Sequence, residues 1–264
     1  MPTPVPRIQK PYYRNGPQHR AGADVSFADI NKVFGFKTVI VGKWVEGVEQ
    51  QLAANLFFDA LCDLMEILQV PEHVISLNGS LSLAFGVGGQ KHSCAHYDVQ
   101  KRQLALAKNA GGGALAHEWF HAFDHYISTK MFATAQSLTF ASSLWLQDAQ
   151  MHSHPLNQRL ADWFKHLFLS EQLSEPSDYV QRCALADKTL KHYYFAQPQE
   201  MAARAFEAAI QDNALKNAFL VQGTKQTAEA KVGIYPQAQH RQQSYALLMN
   251  YFLILGKAVN SLDK

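Results

Sequence analysis

The pentapeptide His117-Glu118-Trp119-Phe120-His121 constrains this chain more than any other stretch. On a helix, side chains four residues apart stand one above the other on the same face. Two imidazoles at that spacing can share one ion at about 2.0–2.1 Å each, the usual zinc–nitrogen distance. Glu118 follows His117 directly and sits at the edge of that face, where it reaches a water on the ion rather than the ion itself. Zinc lowers the pKa of such a water to about 7, within range of a carboxylate base. With 12 histidines in 264 residues, chance alone produces His-Glu-X-X-His in roughly one chain in fifty. The flanks argue against chance, because Leu115, Trp119, Phe120, Phe123, Tyr126 and Ile127 carry the apolar periodicity of a buried helix. Two histidines and a glutamate inside such a helix are unfavourable unless something satisfies them.

A catalytic zinc takes three protein ligands and keeps one open position. The third is not a histidine six residues past His121, because Ile127 stands there. His125 lies two turns past His117 and has rotated about 80° away on an ideal helix, which assigns it to the rim or to packing. A downstream acid on a second helix is the other solution. The run Glu200-Met-Ala-Ala-Arg-Ala-Phe-Glu207 places Glu200, Arg204 and Glu207 near one face, with small residues that permit close approach. Spacing alone leaves Glu200, Glu207 and His192 open as third ligand. Arg204 beside Glu200 reads either as support for a ligand carboxylate or as a solvated salt bridge of little worth. Asp124 shares the face of His117 and His121 and is the expected hydrogen-bond acceptor for a ligand imidazole, with a surface ion pair as its alternative.

The rest of the chain bounds these possibilities. At 47% hydrophobic and 17% charged it is an ordinary globular sequence, and a formal charge of +2 gives no global attraction for nucleic acid or membrane. Cys62, Cys94 and Cys183 are odd in number and widely spaced, pointing to a reducing compartment. The opening Met1-Pro-Thr-Pro-Val-Pro lacks the apolar core of a signal peptide, and the apolar run near Tyr245 to Leu255 is too short to span a bilayer. A cytoplasmic protein is expected. Residues 1–23 read as an extended arm whose Arg7, Lys10, Arg14 and Arg20 are solvated or touch an acidic partner such as nucleic acid. Residues 24–264 read as one domain, with a sheet-containing lobe to about 130 and a helical lobe from about 131.

Within it, Ser26 caps a short turn, and Phe34, Phe36, Val39, Ile40, Val41 and Trp44 form an apolar cluster with a strand at 39–41. A helix runs from Val48 to Gln69 and closes at Pro71. Val74 to Val87 alternates weakly around an Asn78-Gly79 turn, and short strands follow at 94–97 and 103–107. Asn109 to Gly113 reads as a flexible approach to the metal helix. Helices are expected at 137–149, 157–169, 179–190, 199–219 and 240–256.

Four segments together carry a family resemblance: Leu83-Ala-Phe-Gly86; Ala95-His-Tyr97; Gly113 through Tyr126; and Glu200 through Glu207. With Phe34-Gly-Phe36, Gly42-Lys-Trp44 and Asp59 to Leu64, they resemble the first type of large polyvalent-protein-associated domain, over roughly residues 34 to 250. More distantly they resemble the metallopeptidase domain of the calcium-activated chloride channel regulators. The resemblance implies an α+β, zincin-like fold with a small mixed sheet packed on the metal helix and a mainly helical C-terminal lobe. It also implies a glutamate third ligand, which raises Glu200 above its rivals, and one zinc ion per chain. Phe120 departs from the family's usual glycine and bears on substrate size. The function expected is a zinc hydrolase, a metallopeptidase acting on a peptide or protein. Glu118 would serve as general base, and Tyr193, Tyr194, Tyr235 or His240 would donate to the oxyanion. The alternative is a non-catalytic protein in which the same zinc ties helices together.

Overall fold

Four strands and ten α-helices make up the described part of the computed structural model, which covers residues 7–87, 95–107 and 112–262. The protein is α+β. Two sets of residues group as separate units, Met1–Ala122 with Asn213–Gln222, and Phe123–Asp212 with Gly223–Lys264.

In the first unit, Ser26 opens helix α1 (Phe27–Phe34) with a capping box: its hydroxyl accepts from Asp29 N–H while the Asp29 carboxylate accepts from Ser26 N–H. Strand β1 (Val39–Val41) follows, then the long α2 (Gly47–Leu68) and the short α3 (Glu72–Ile75). Strands β2 (Ser82–Phe85), β3 (Ala95–Asp98) and β4 (Gln103–Leu106) complete a sheet of order β1-β2-β4-β3. β1–β2 and β2–β4 are parallel, while β4–β3 is an antiparallel hairpin with Tyr97 opposite Leu104. The two central strands carry the core: all of β2 is buried, whereas the edge strands β1 and β3 are half-buried. Phe57 of α2 packs on Phe85 of β2, with ring centroids 5.9 Å apart, and on Phe219, 5.4 Å away.

Helix α4 (Leu115–Met131) carries the histidine pair, and the division between the units falls inside it. The second unit adds α5 (Ala141–Leu146), α6 (Pro155–Phe168), α7 (Asp178–Leu190), α8 (Pro198–Asp212), α9 (Ala228–Val232) and α10 (Ala238–Leu262). α10 packs along α6 and α8. Phe252 of α10 touches both Phe123 of α4, at 5.2 Å between ring centroids, and Phe206 of α8, at 6.0 Å. One ring thus joins the C-terminal part of α4 to α8 within the second unit.

The structure corrects several expectations, each for a local reason. From Ile8 onward the arm is anchored on the fold. Ile8 is buried, Arg14 forks onto Asp63 and Arg20 onto Asp59, both acids on α2. These two arginines are spent inside the fold. Trp44 is 81% exposed and leaves the expected cluster, since it stands in the tight turn that Val45 N–H to Gly42 carbonyl closes beyond an edge strand. Residues 74–81 form α3 and a turn, so only 82–85 of the alternating stretch is strand. The helix expected from 137 begins at 141, because the Thr139 hydroxyl binds the Gln136 backbone on both sides and holds a turn there. The helix expected to reach 219 stops at Asp212, where Asn213 and Asn217 side chains accept the N–H groups of Leu215, Phe219 and Leu220. Residues 213–222 therefore return to the first unit. The glycine run 86–89 is described only to residue 87; Cys94 and residues 109–111 lie outside the described residues.

Candidate metal centre

The α4 helix is fixed by its apolar flank. Leu115, Trp119, Phe120 and Phe123 are buried, and Trp119 Nε1 donates to the Ile75 carbonyl at 2.9 Å. This leaves His117 and Glu118 half-buried on the other side, with His121 buried. The two imidazoles stand edge to face and their Nε2 atoms are 3.1 Å apart. Two nitrogens about 2.0–2.1 Å from one ion and near a tetrahedral angle lie about 3.3 Å from each other, so this spacing suits a shared cation.

Glu200 stands in the first turn of α8, which Pro198 opens. One ligand atom each from His117, His121 and Glu200 fall within 4.8 Å of one another, the one such group of three or more His, Cys, Asp or Glu among the described residues. Two imidazoles and one carboxylate suit zinc by donor type and leave a coordination position for solvent. Glu207 and His192, the rival ligands, are not in the group: Glu207 accepts from the Tyr235 hydroxyl at 3.1 Å, and His192 is exposed with its ring near Tyr194.

Glu200 is held from behind. Arg204, 4% exposed, donates from Nη2 to Glu200 Oε2 at 3.0 Å. The guanidinium lies over the rings of Tyr194 and Phe195, 5.0 and 4.8 Å from their centroids. Asp187 of α7 holds the backbone just after Tyr194: its two oxygens each accept at 2.8 Å, from Phe195 N–H and from Ala196 N–H. A guanidinium so deep is tolerated only with a counter-charge and a fixed geometry. Phe195 and Asp187 were missed from sequence; the aromatic run Tyr193-Tyr194-Phe195 ahead of Arg204 was the available signal.

The other candidates have defined places. Asp124 is fully buried and accepts from the backbone N–H of Ser142 at 2.8 Å and from its hydroxyl at 2.5 Å, so it caps the first turn of α5. His125 pairs through Nε2 with the Ser137 carbonyl at 2.7 Å, which gives it a packing role. Phe120, the departure from the family pattern, is fully buried. Tyr193 is largely exposed. Burial, then the Glu207 carboxylate, pushes the Tyr235 phenol far above its ordinary range and keeps it a donor. His240 pairs with His166, each Nε2 facing the other's backbone carbonyl at 2.9 and 3.1 Å. Burial, then His166, lowers its pKa to about 4. Both line a concavity of about 650 Å³ at the start of α10, and none of His117, His121 and Glu200 lines it.

A sequence profile of large polyvalent protein-associated domain 1 matches residues 186–259. The matched span holds Glu200, Arg204 and Glu207 but not the histidine pair, and it is shorter than the 34 to 250 that the sequence motifs suggested. No curated protein and no solved structure matches the chain. Among the described residues, no helix is long and apolar enough to cross a membrane.

Proposed function

We propose that this protein is a zinc-dependent hydrolase of the metallopeptidase type with a zincin-like fold. The observation that carries the reading is the convergence of His117, His121 and Glu200 within 4.8 Å, with Glu118 beside the first histidine. The match of residues 186–259 to a polyvalent-protein-associated domain adds support for the segment that contains Glu200. A zinc ion held by these three residues supplies Lewis acidity toward a scissile carbonyl and acidifies water near pH 7. The protein's own groups do the rest. His117 and His121 bring their Nε2 atoms together, and Arg204 fixes the carboxylate of Glu200 by one oxygen. The Glu118 carboxylate takes the proton of the attacking water and returns it to the leaving amine. Strand β3 lies at a sheet edge, where an extended peptide can add as a further strand. Of the oxyanion candidates, Tyr194 lies with its ring against Arg204, the partner of Glu200. The buried free thiols of Cys62 and Cys183 fit a reducing, cytoplasmic setting.

The test is turnover of a peptide library by the zinc-loaded protein. Glu118→Gln is expected to retain zinc and lose a factor of about 10²–10⁴ in rate, the usual worth of a general base. Equal turnover would remove Glu118 from the mechanism. A wild-type protein that holds zinc, depends on it for stability and cleaves nothing would leave the non-catalytic reading in its place.

A further inference from the structure

Helix α4 starts in a way its own sequence does not support. A helix leaves its first four N–H groups without partners inside the helix, and a Ser, Thr, Asp or Asn ahead of the first turn ordinarily satisfies one. Here the preceding residues are Gly112, Gly113 and Ala114, with no side-chain oxygen among them. The acceptors come from far along the chain. The Phe219 carbonyl accepts from Gly113 N–H at 2.7 Å, and the Leu220 carbonyl from Ala116 N–H at 3.1 Å. The Tyr12 hydroxyl oxygen accepts from Gly112 N–H at 2.8 Å, and Gln222 Nε2 donates to the Gly112 carbonyl at 3.0 Å. The glycines permit this closeness: a Cβ on Gly112 would stand 2.6 Å from Phe219 Cα and 2.7 Å from Tyr12 Cε1. Gly113 adopts φ of +106°, a conformation that only glycine holds without strain. The segment expected to be flexible is, from Gly112 onward, a tightly packed seam.

The two stretches that make the seam are themselves tied to one group. Asn217 Oδ1 accepts from Phe219 and Leu220 N–H, which shapes the turn presenting their carbonyls, and Asn217 Nδ2 donates to Asp63 Oδ2 at 2.7 Å. Asp63, fully buried on α2, also receives Arg14 Nε and Nη2 at 2.6 and 2.7 Å and pairs with His19 Nε2 at 2.9 Å. The backbones join as well: Ala218 N–H donates to the Tyr13 carbonyl, and Asn15 N–H to the Lys216 carbonyl. His117 is the third residue of α4 and so lies in the turn that frays first when those acceptors leave.

We propose that residues 12–19 and 217–222 form a collar on the first turn of α4, with Tyr12, Asp63 and Asn217 as positioning residues for the metal centre. Opening the collar weakens metal binding without removing a ligand, and anything that draws the arm away from α2 acts as a control on the ion. The coupling rests on the reading of His117, His121 and Glu200 as a zinc site.

The experiment uses the full chain with Tyr12→Phe and, separately, Asn217→Ala. Three quantities are read: amide hydrogen exchange, zinc affinity by competition with a chelator, and melting of the zinc-free protein. Tyr12→Phe is expected to speed exchange at residues 112–117 roughly two- to tenfold, the net worth of one neutral hydrogen bond. Zinc affinity should fall by a similar factor, with exchange in α6 and α10 unchanged. Should Asn217→Ala fail to fold, the milder Tyr12→Phe still decides. Unaltered exchange at 112–117 overturns the collar, and faster exchange with unaltered zinc affinity overturns its coupling to the ion. A wild-type protein that takes up no zinc sinks the metal reading and the coupling together, while exchange at 112–117 still judges the collar on its own.

Discussion

The pair His117 and His121 was legible because a helix converts a spacing of four into a shared direction. The carboxylate was not fixed by spacing. Glu200 and Glu207 are both on α8 and both buried, and only the fold separates the one beside the imidazoles from the one bound to Tyr235. Glu200→Gln keeps the size and the approach of Arg204 but removes the charge that a divalent cation needs. It is expected to reduce zinc affinity by at least tenfold, which titration against a chromophoric chelator would measure; an unchanged constant would strike Glu200 from the ligand set. His240 gives a pH signature separate from the metal. Its folded pKa of about 4 lies below the unfolded value near 6.5, so the unfolded chain binds the extra proton first as the solution is acidified. The stability attached to its neutral form is present above pH 6.5 and is lost as pH falls toward 4. His240→Gln should flatten that part of the curve of melting temperature against pH, and parallel curves for the two proteins would refute it.

At the scale of elements, the apolar period found every long helix, and the errors cluster where short polar side chains bind their own backbone. Thr139 delays α5, and Asn213 and Asn217 end α8 although Leu215 and Phe219 continue its apolar rhythm. The sheet was harder to read, since strands of three or four residues carry barely one period of alternation. Nor could any local pattern reveal that Asp187 holds the Phe195 and Ala196 backbone. What the sequence cannot display at all is the joint between helices. Phe252 packs against Phe123 and Phe206 at once. Phe252→Ala should cost about 3–5 kcal/mol in urea unfolding, as for other large-to-small changes in a core. A loss under about 1 kcal/mol would show the core closing over the gap.

For the molecule as a whole, a ligand that binds only the folded chain raises its stability by mass action. Zinc at a hundred times its dissociation constant should add about 2.7 kcal/mol, read as a higher melting temperature that a chelator abolishes. The shift should be much smaller in Glu200→Gln, and equal shifts in the two proteins would place the ion elsewhere. The division into two units bears on how the protein is made. Unit one is built from Met1–Ala122 and closes only with Asn213–Gln222. A ribosome therefore delivers the sheet and α2 well before the ten residues that cover Phe57 and complete the shell around Asp63. The first unit is therefore complete only once residue 222 has followed, because Phe219 and Asn217 bring the last contacts to Phe57 and Asp63.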